Sequence, residues 1–252
     1  MNTITYHYRA VVTTFKELFA GNFLIYFIPG TVLTVLFFWL TYSTKTIEHS
    51  LLIEADSSWI NWIKGGVNTV VHGAFSFFGF LLEQIYIFAV ITLLSPFNTI
   101  LSEKLENKLI GTTYKSTLAS FINDFFRMVF VVIIAISLEL SFMAFYWLIS
   151  FLFGLGAIDG IVFFVIAAFF FGLSFYDFSL ERDRINVFGT IAYAFSHPLA
   201  MILTGGIFLL IYAIPVLGIP LSPVITVMVA TIVYLYIAKR LPKSKNELKE
   251  NE

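Results

Sequence analysis

The stretch NTVVHGAFSFFGFLLEQIYIFAVITLLSPFNTILSEKLENKLIG, residues 68–111, decides the predicted fold. Its first part is apolar and long enough for a membrane helix, and its one midpoint charge is Glu83. Ser95 before Pro96 is typical of a helix start, because Ser caps an N–H group and Pro has none to cap. The simplest interpretation is a span over 68–95 that leaves the membrane and bends into a helix lying on its surface.

The part after Pro96 has the pattern of an amphipathic helix, and Gly111 suits the left-handed residue that ends it. The apolar residues recur every four positions, at Phe97, Leu101, Leu105 and Leu109. The charged residues take other faces, at Glu103, Lys104, Glu106 and Lys108. This pattern predicts a helix with one buried apolar face and a solvated opposite face.

The composition indicates a single membrane domain over 1–240. Hydrophobic residues make up 59% of the 252 residues, and charged residues make up 12%, about half the roughly 25% of soluble proteins.

A net charge of −1 gives no broad basic surface, so we expect no nucleic-acid partner. The chain has no cysteine, which excludes disulfides and thiolate metal chemistry. The N-terminus lacks the pattern of a cleaved signal peptide.

The other segments complete an all-α integral membrane protein, with two to four full spans, re-entrant helical hairpins and amphipathic interfacial helices. In chain order they are an interfacial helix at 1–20, a span at 23–43, amphipathic cytoplasmic helices at 96–127, a helical hairpin at 128–176, an amphipathic helix at 185–197, a helical hairpin at 199–238 and a cytoplasmic tail at 241–252. The apolar stripes of the two interfacial segments are Ile4, Tyr8, Val11, Phe15 and Phe19, and Ile185, Phe188, Ala192 and Phe195. Gly154 and Gly156 predict the turn of the first hairpin.

The second hairpin has short arms. About 16 residues rise only about 24 Å, less than the roughly 30 Å hydrocarbon core. Its turn, with Pro215, Gly218, Pro220 and Pro223, has no charged residue to hold it in water. A re-entrant hairpin whose turn is buried in protein meets both constraints, and hydrophobic mismatch is the alternative. The turn residues are either a tight apolar corner or half-helix ends aimed at a solute.

The distribution of Lys and Arg predicts the orientation. The segments 1–22, 96–127 and 180–198 and the tail carry most of them, whereas the turns at 154–160 and 215–222 carry none. The positive-inside rule therefore places both termini in the cytoplasm.

Two carboxylic acids, Glu83 and Glu139, lie near the middles of apolar segments. Such groups are costly in a bilayer and indicate an ion or proton path, or else a protonated side chain hydrogen-bonded between helices. Gly21 and Asn22 either offer N–H groups to an anion at the start of the first span or simply end a helix. The alternatives stay open at both places.

Charged residues also cluster where apolar segments end. We expect Arg127, beside Asp124, to snorkel towards water. The alternating charges Asp177, Glu181, Arg182, Asp183 and Arg184 predict a surface salt-bridge network, with gating or partner binding as the second interpretation.

The sequence predicts neither a metal site nor an enzyme. The four histidines, His7, His49, His72 and His197, have no ligand spacing, and no cofactor or nucleophile motif is present. An intramembrane enzyme would need paired catalytic groups, and only Glu83 and Glu139 qualify.

Several motifs together resemble the CysZ family of bacterial sulfate transporters, within the etoposide-induced membrane protein superfamily. The resemblance spans most of 23–238. Its most specific residues are Pro96, Phe97 and Asn98 with Glu103 and Leu105, Arg127 with Asp124, and Asp177 with Glu181 and Arg182. It implies full spans mixed with half-penetrating hairpins, a homo-oligomer in the bacterial inner membrane, and uptake of sulfate.

The sequence departs from the family pattern at its basic residues. The family usually places Arg after the Gly that begins its first span, whereas here Gly21 is followed by Asn22 and Phe23. The segment after Arg127 and the stretch near 188–199 also lack Lys and Arg. A second hypothesis is therefore a non-transporting membrane scaffold that shapes the bilayer or assists other membrane proteins.

Overall fold

The computed structural model describes residues 2–21, 23–36, 39, 42, 87–112 and 118–241, and these contain no strand. Residues 87–93 form α3. The other helices are α1 (Thr3–Phe19), α2 (Leu24–Leu36, beginning as a 3-10 turn), α4 (Ser95–Ile110), α5 (Leu118–Phe153), α6 (Asp159–Arg182), α7 (Val187–Ser196), α8 (Pro198–Tyr212) and α9 (Gly218–Ile237). The predictions made at Asn22, at Glu83 and over 43–86 and 242–252 lie outside the described residues.

The chain is an all-α membrane protein, as the sequence predicts. Within the described residues, three helical segments are long and apolar enough to cross a membrane: Phe125–Phe153, Gly156–Arg182 and Gly218–Ile237. The number rises to five if two bent pairs each count as one span. In these pairs α1 meets α2 at 100° and α7 meets α8 at 97°.

Helices α5 and α6 form the predicted hairpin, and Gly154 ends α5 in the left-handed region at φ 66°. The predicted boundary at 127/128 is wrong, because α5 continues through it over 36 residues. No Gly or Pro interrupts 118–153, and a helix of this length reaches about 54 Å. Helix α6 is also longer than its apolar run, because the charged stretch after Tyr176 remains helical as far as Arg182.

Helices α8 and α9 form the second hairpin around a short turn at 213–217. Of the predicted turn residues only Pro215 lies in this turn, and the assignment of the others is wrong. Gly218 begins α9, Pro220 follows in its first turn and Pro223 lies inside the helix. Proline is tolerated in a first turn, where the N–H group has no partner within the helix. With 20 residues α9 is long enough to span, whereas α8 has 15.

Helix α4 departs from the predicted amphipathic pattern. Leu101 and Leu105 are fully buried as expected, but Phe97 on the same stripe is 44% exposed. Glu106, expected on a solvated face, is only 1% exposed. Gly111 ends the helix at φ 72° as predicted. The buried face is therefore a mixture of leucines and polar residues that packs on α9.

Ser95 does not cap α4, contrary to the prediction. The preceding Leu94 has a helical backbone, and the N–H of Asn98 donates to the carbonyl of Leu94 at 2.8 Å. Helix α3 passes into α4 almost without interruption. The first N–H groups of α4 therefore find carbonyl partners in the preceding turn, as Asn98 does, and need no cap from the Ser95 side chain.

Close backbone approach joins α6 and α8. A Cβ atom added at Gly172 would lie 2.1 Å from the carbonyl oxygen of Met201, and one at Gly205 would lie 1.8 Å from that of Ala168. Small residues permit this approach, which is a common way to pack membrane helices. Helix α9 completes the core, since 94% of its most apolar 18-residue stretch is buried inside the protein.

The outer surface of the bundle is apolar, as a lipid-facing surface must be. Ile4, Tyr8, Phe15 and Phe19 on α1 are exposed, and so are Phe188 and Phe195 on α7. The opposite face of α1 packs on the bundle. Both helices thus present most of their predicted apolar stripes outwards, which fits an interfacial position, whereas Val11 and Ile185 pack against the core.

We predict that Gly205→Ala lowers the free energy of unfolding by about 1–3 kcal/mol or more, because the added methyl forces α6 and α8 apart. Gly206→Ala is the matched control, because its Cβ would meet only the Phe164 ring at 3.9 Å. Thermal unfolding of the two purified variants in detergent measures the difference. Equal unfolding temperatures would contradict this account of the helix crossing.

Candidate functional site

A buried ion pair joins α5 to the end of α6. The Arg127 guanidinium donates to Asp177 at 2.7 Å and to the carbonyl of Ile185 at 2.6 Å. Thr190 donates to the same Asp177 carboxylate at 2.8 Å, and Glu181 lies 3.7 Å from the guanidinium. The Asp177 side chain is 1% exposed and that of Arg127 is 15% exposed. Snorkelling of Arg127 towards water is therefore a wrong prediction.

A second group of charges centres on Glu106 of α4. Its carboxylate accepts from Arg182 at 2.9 Å and from Arg240 at 3.3 Å. Arg240 also donates to Asp183 at 2.6 Å, and the Tyr234 hydroxyl donates to the same Asp183. One buried carboxylate thus links α4, the end of α6 and the residues that follow α9.

The salt-bridge network predicted around Asp177, Glu181, Arg182, Asp183 and Arg184 is present for the first four, with a buried centre in place of the expected surface position. The side chains of Asp177 and Arg182 are buried, those of Glu181 and Asp183 are partly exposed, and Arg184 is exposed. Helix α6 continues through Asp177, Glu181 and Arg182. These residues therefore lie on a helix that packs against α4, α5 and α7. Two central members, Glu106 and Arg240, were not singled out from the sequence. No spacing signal links positions so far apart along the chain, so only the folded helices bring them together.

We predict that Glu106→Gln destabilises the fold by about 3–5 kcal/mol, because Arg182 stays buried without a full counter-charge. Glu17→Gln is the control, because its partner Lys108 has a side chain that is 40% exposed. Exposed pairs contribute about 0–1 kcal/mol. Chemical unfolding in detergent compares the two, and the double variant Glu106→Gln with Arg182→Gln should recover part of the loss.

The second candidate feature is a set of buried polar residues on α4 and α9, two helices that run side by side in the same direction. Leu94 and Ile219 belong to one apolar cluster near the start of both helices. Further along, the hydroxyls of Ser102 and Thr231 are hydrogen-bonded at 2.5 Å. These two contacts bracket an interval of about two turns on α4 and three on α9.

Four buried polar side chains on these stretches have an atom without a hydrogen-bond partner in the described chain, and we call them the polar seam: Ser95 and Asn98 on α4, and Ser222 and Thr226 on α9. Each is at most 2% exposed. In the described chain the three hydroxyl oxygens and the Asn98 Nδ2 have no hydrogen-bond partner. A buried polar group without a partner costs about 1–3 kcal/mol, so these groups are expected to contact water or a solute.

The remaining predicted site residues are placed apart from the seam. Glu139 lies on α5, is 1% exposed, and has no hydrogen-bond partner for either oxygen among the described residues. Gly21 ends the turn after α1 at φ 83°, and its N–H donates to the Leu18 carbonyl at 3.0 Å. Because that N–H group is occupied, Gly21 acts as a helix break. Glu103 is half-buried on α4.

Among the described residues no group of three or more His, Asp or Glu side chains is arranged to hold a metal ion. His7 instead docks α1 on the bundle. Its Nδ1 donates to the Thr3 carbonyl at 2.9 Å, and the Thr204 hydroxyl of α8 donates to Nε2 at 2.9 Å. These roles are assigned from the neutral imidazole. Burial lowers the pKa of His7, against the opposing effect of the Thr3 carbonyl.

We predict that the fold loses stability as the pH falls below about 6.5, the pKa of an unfolded histidine. The sign follows because the unfolded chain binds a proton at His7 more readily than the folded chain does. Thermal unfolding in detergent from pH 8 to pH 5 should show a steeper loss for the wild type than for His7→Gln. Identical pH profiles of the two proteins would contradict the role given to His7.

Comparison with protein families and with curated proteins finds no match to this chain. The resemblance to the CysZ family therefore remains a prediction. Five of its residues fall into the two features described above. Asp177, Glu181, Arg182 and Arg127 lie in the charge network, and Asn98 lies in the polar seam.

Proposed function

We propose that this protein is a CysZ-like membrane protein through which sulfate or another small anion passes, and that the polar seam is part of the path. The role is non-enzymatic and needs no cofactor. Passage is passive or linked to protons, with Glu139 as the candidate proton-carrying group. The chain lies in the bacterial inner membrane with both termini in the cytoplasm and works as a homo-oligomer.

The observation that carries this proposal is the set of buried, unpaired polar atoms on α4 and α9. The Asn98 amide nitrogen can only donate, and the three hydroxyls can donate as well as accept. Unpaired donors suit a solute rich in acceptor oxygens. Polar groups inside a membrane protein are costly, and they frequently mark the path of a solute.

The charge network supports the proposal in a different way. It fastens the ends of α4, α5 and α6 and the residues after α9 on one side of the bundle, the side that the positive-inside rule assigns to the cytoplasm. The seam residues lie outside this group of ion pairs, so the ion pairs do not hold that part of α4 and α9 in place. The hydrogen bond between the Ser102 and Thr231 hydroxyls joins α4 to α9 at positions between the seam residues and the network.

Uptake of sulfate and nitrate into liposomes that contain the purified full-length protein tests the proposal. We predict that the double variant Ser222→Ala, Thr226→Val retains wild-type stability or gains some, because it removes unpaired buried hydroxyls. Its anion uptake should fall at least about fivefold, the factor that corresponds to one lost hydrogen bond of about 1 kcal/mol.

Ser174→Ala is the control variant, because this buried hydroxyl of α6 already donates to the Phe170 carbonyl. Its uptake should equal that of the wild type. Wild-type uptake no greater than that of empty vesicles, over a range of pH, would refute anion passage. Normal uptake by the double variant would instead refute the seam as the path.

The alternative is a non-transporting membrane scaffold. The exposed apolar faces of α1 and α7 favour it, because they offer long surfaces to the bilayer or to other membrane proteins. A stable protein partner that co-purifies with a wild type lacking any anion uptake would support the scaffold over the transporter.

A further inference from the structure

A groove lined only by apolar side chains lies where α7 turns into α8. It has a volume of about 240 Å³, and its floor includes Phe169 and Phe170 of α6, which are buried. We propose that this groove is a binding site for one acyl chain of a membrane lipid. The inference does not depend on anion passage, and it concerns a part of the fold away from the polar seam.

The bend between α7 and α8 accounts for the groove. Helix α8 packs closely along α6, but α7 meets α8 at 97° just before Pro198 and cannot follow the same path. The gap that results is bordered by aromatic rings. The Phe195 ring at the end of α7 lies 6.3 Å from the Phe142 ring of α5 and 5.0 Å from the Phe169 ring.

The groove opens onto the outer surface of the bundle. Four of its lining residues are exposed and form its rim: Phe142, Val165, Phe195 and Pro198. Two of them, Phe142 and Val165, belong to α5 and α6, which are long and apolar enough to cross a membrane. The surface of such helices meets the hydrocarbon chains of the bilayer, so the groove opens towards lipid.

The depth of the groove suits a chain whose headgroup lies at the membrane surface. The charge network and the interfacial helix α7 mark the level at which α6 leaves the hydrocarbon region, and Asp177 lies at this level. Phe169 and Val165 are about 12 Å and 18 Å from Asp177 along α6, at 1.5 Å per residue. An acyl chain that enters beside α7 therefore passes along the groove.

The lining accepts only an apolar occupant. Its other residues, Ile166 and Ile202, are also aliphatic, so no lining side chain offers a hydrogen bond to water. An empty groove would cost its walls their dispersion contacts. A group the size of a water molecule takes about 30 Å³, so the groove has room for about eight such groups in a flexible chain.

A helix of another protein is too large for this space. One helical turn about 10 Å wide and 5.4 Å long needs roughly 400 Å³. The groove, at about 240 Å³, holds less than this. A single flexible chain fits, and the bilayer supplies such chains at every point of this surface.

Photolabelling of the full-length protein in vesicles tests the inference. The vesicles contain phosphatidylethanolamine and phosphatidylglycerol, and some of the phosphatidylethanolamine has a diazirine group in the middle of one acyl chain. We predict that mass spectrometry finds the label concentrated on peptides with Phe142, Val165 and Phe195. Val165→Phe should reduce this labelling at least about fivefold, the lower end of the cost of overpacking expressed as an equilibrium constant.

Ile161→Phe is the matched control, because Ile161 lies one turn away on α6, is exposed and does not line the groove. Its labelling should equal that of the wild type. Both variants should unfold at the wild-type temperature in detergent, because both side chains lie on the outer surface.

Three results would overturn the inference. In the wild type, label spread evenly over the exposed apolar faces of α1, α5 and α7 would indicate ordinary contact with the bilayer. Equal labelling of Val165→Phe and Ile161→Phe would show that the groove does not hold the chain. Because the protein has no cysteine, Val165→Cys provides a single thiol, and a disulfide between two copies in the membrane would assign the groove to a second copy.

Discussion

The Glu106 carboxylate, buried and shared by Arg182 and Arg240, is the contact on which the arrangement of the helices depends. A charge inside a protein is tolerated only with partners of opposite charge, so α4, α6 and the residues after α9 must meet at this point. The Arg127–Asp177 pair extends the same constraint to α5 and, through Thr190, to α7. Packing of α6 on α8 through glycines then fixes the rest of the bundle.

Polar groups in the described helices fall into two classes with different consequences. Those in the charge network have partners, and they hold helix ends together. Those in the polar seam have none in the described chain, although each is at most 2% exposed. Of the buried polar side chains that the fold leaves unpaired among the described residues, four are on α4 and α9, and the others are Thr14, Glu139 and Tyr193. This contrast is why the seam, and not the network, is the proposed path.

Sequence patterns predicted best what depends on neighbouring residues. Gly111 and Gly154 end helices in the left-handed region as expected, because a backbone of this kind strongly favours glycine. Predictions failed where a local signal competed with a longer helix. Ser95 resembles a cap, yet α3 leads into α4 almost unbroken. Pro220 and Pro223 are typical of a turn, yet both belong to α9. Pro220 lies in its first turn, where proline is tolerated, and Pro223 lies inside the helix.

The sequence by itself determined that this is an all-α membrane protein, because apolar runs of span length, few charges and glycine-ended helices are properties of neighbouring residues. Only the tertiary structure decided that Glu106 meets Arg182 and Arg240, and that Ser95, Asn98, Ser222 and Thr226 are buried without partners in the described chain. The contacts of Glu106 join residues 76 and 134 positions apart in the sequence. Helical periodicity assigns a residue to a face of its own helix, but packing chooses the helix that this face meets.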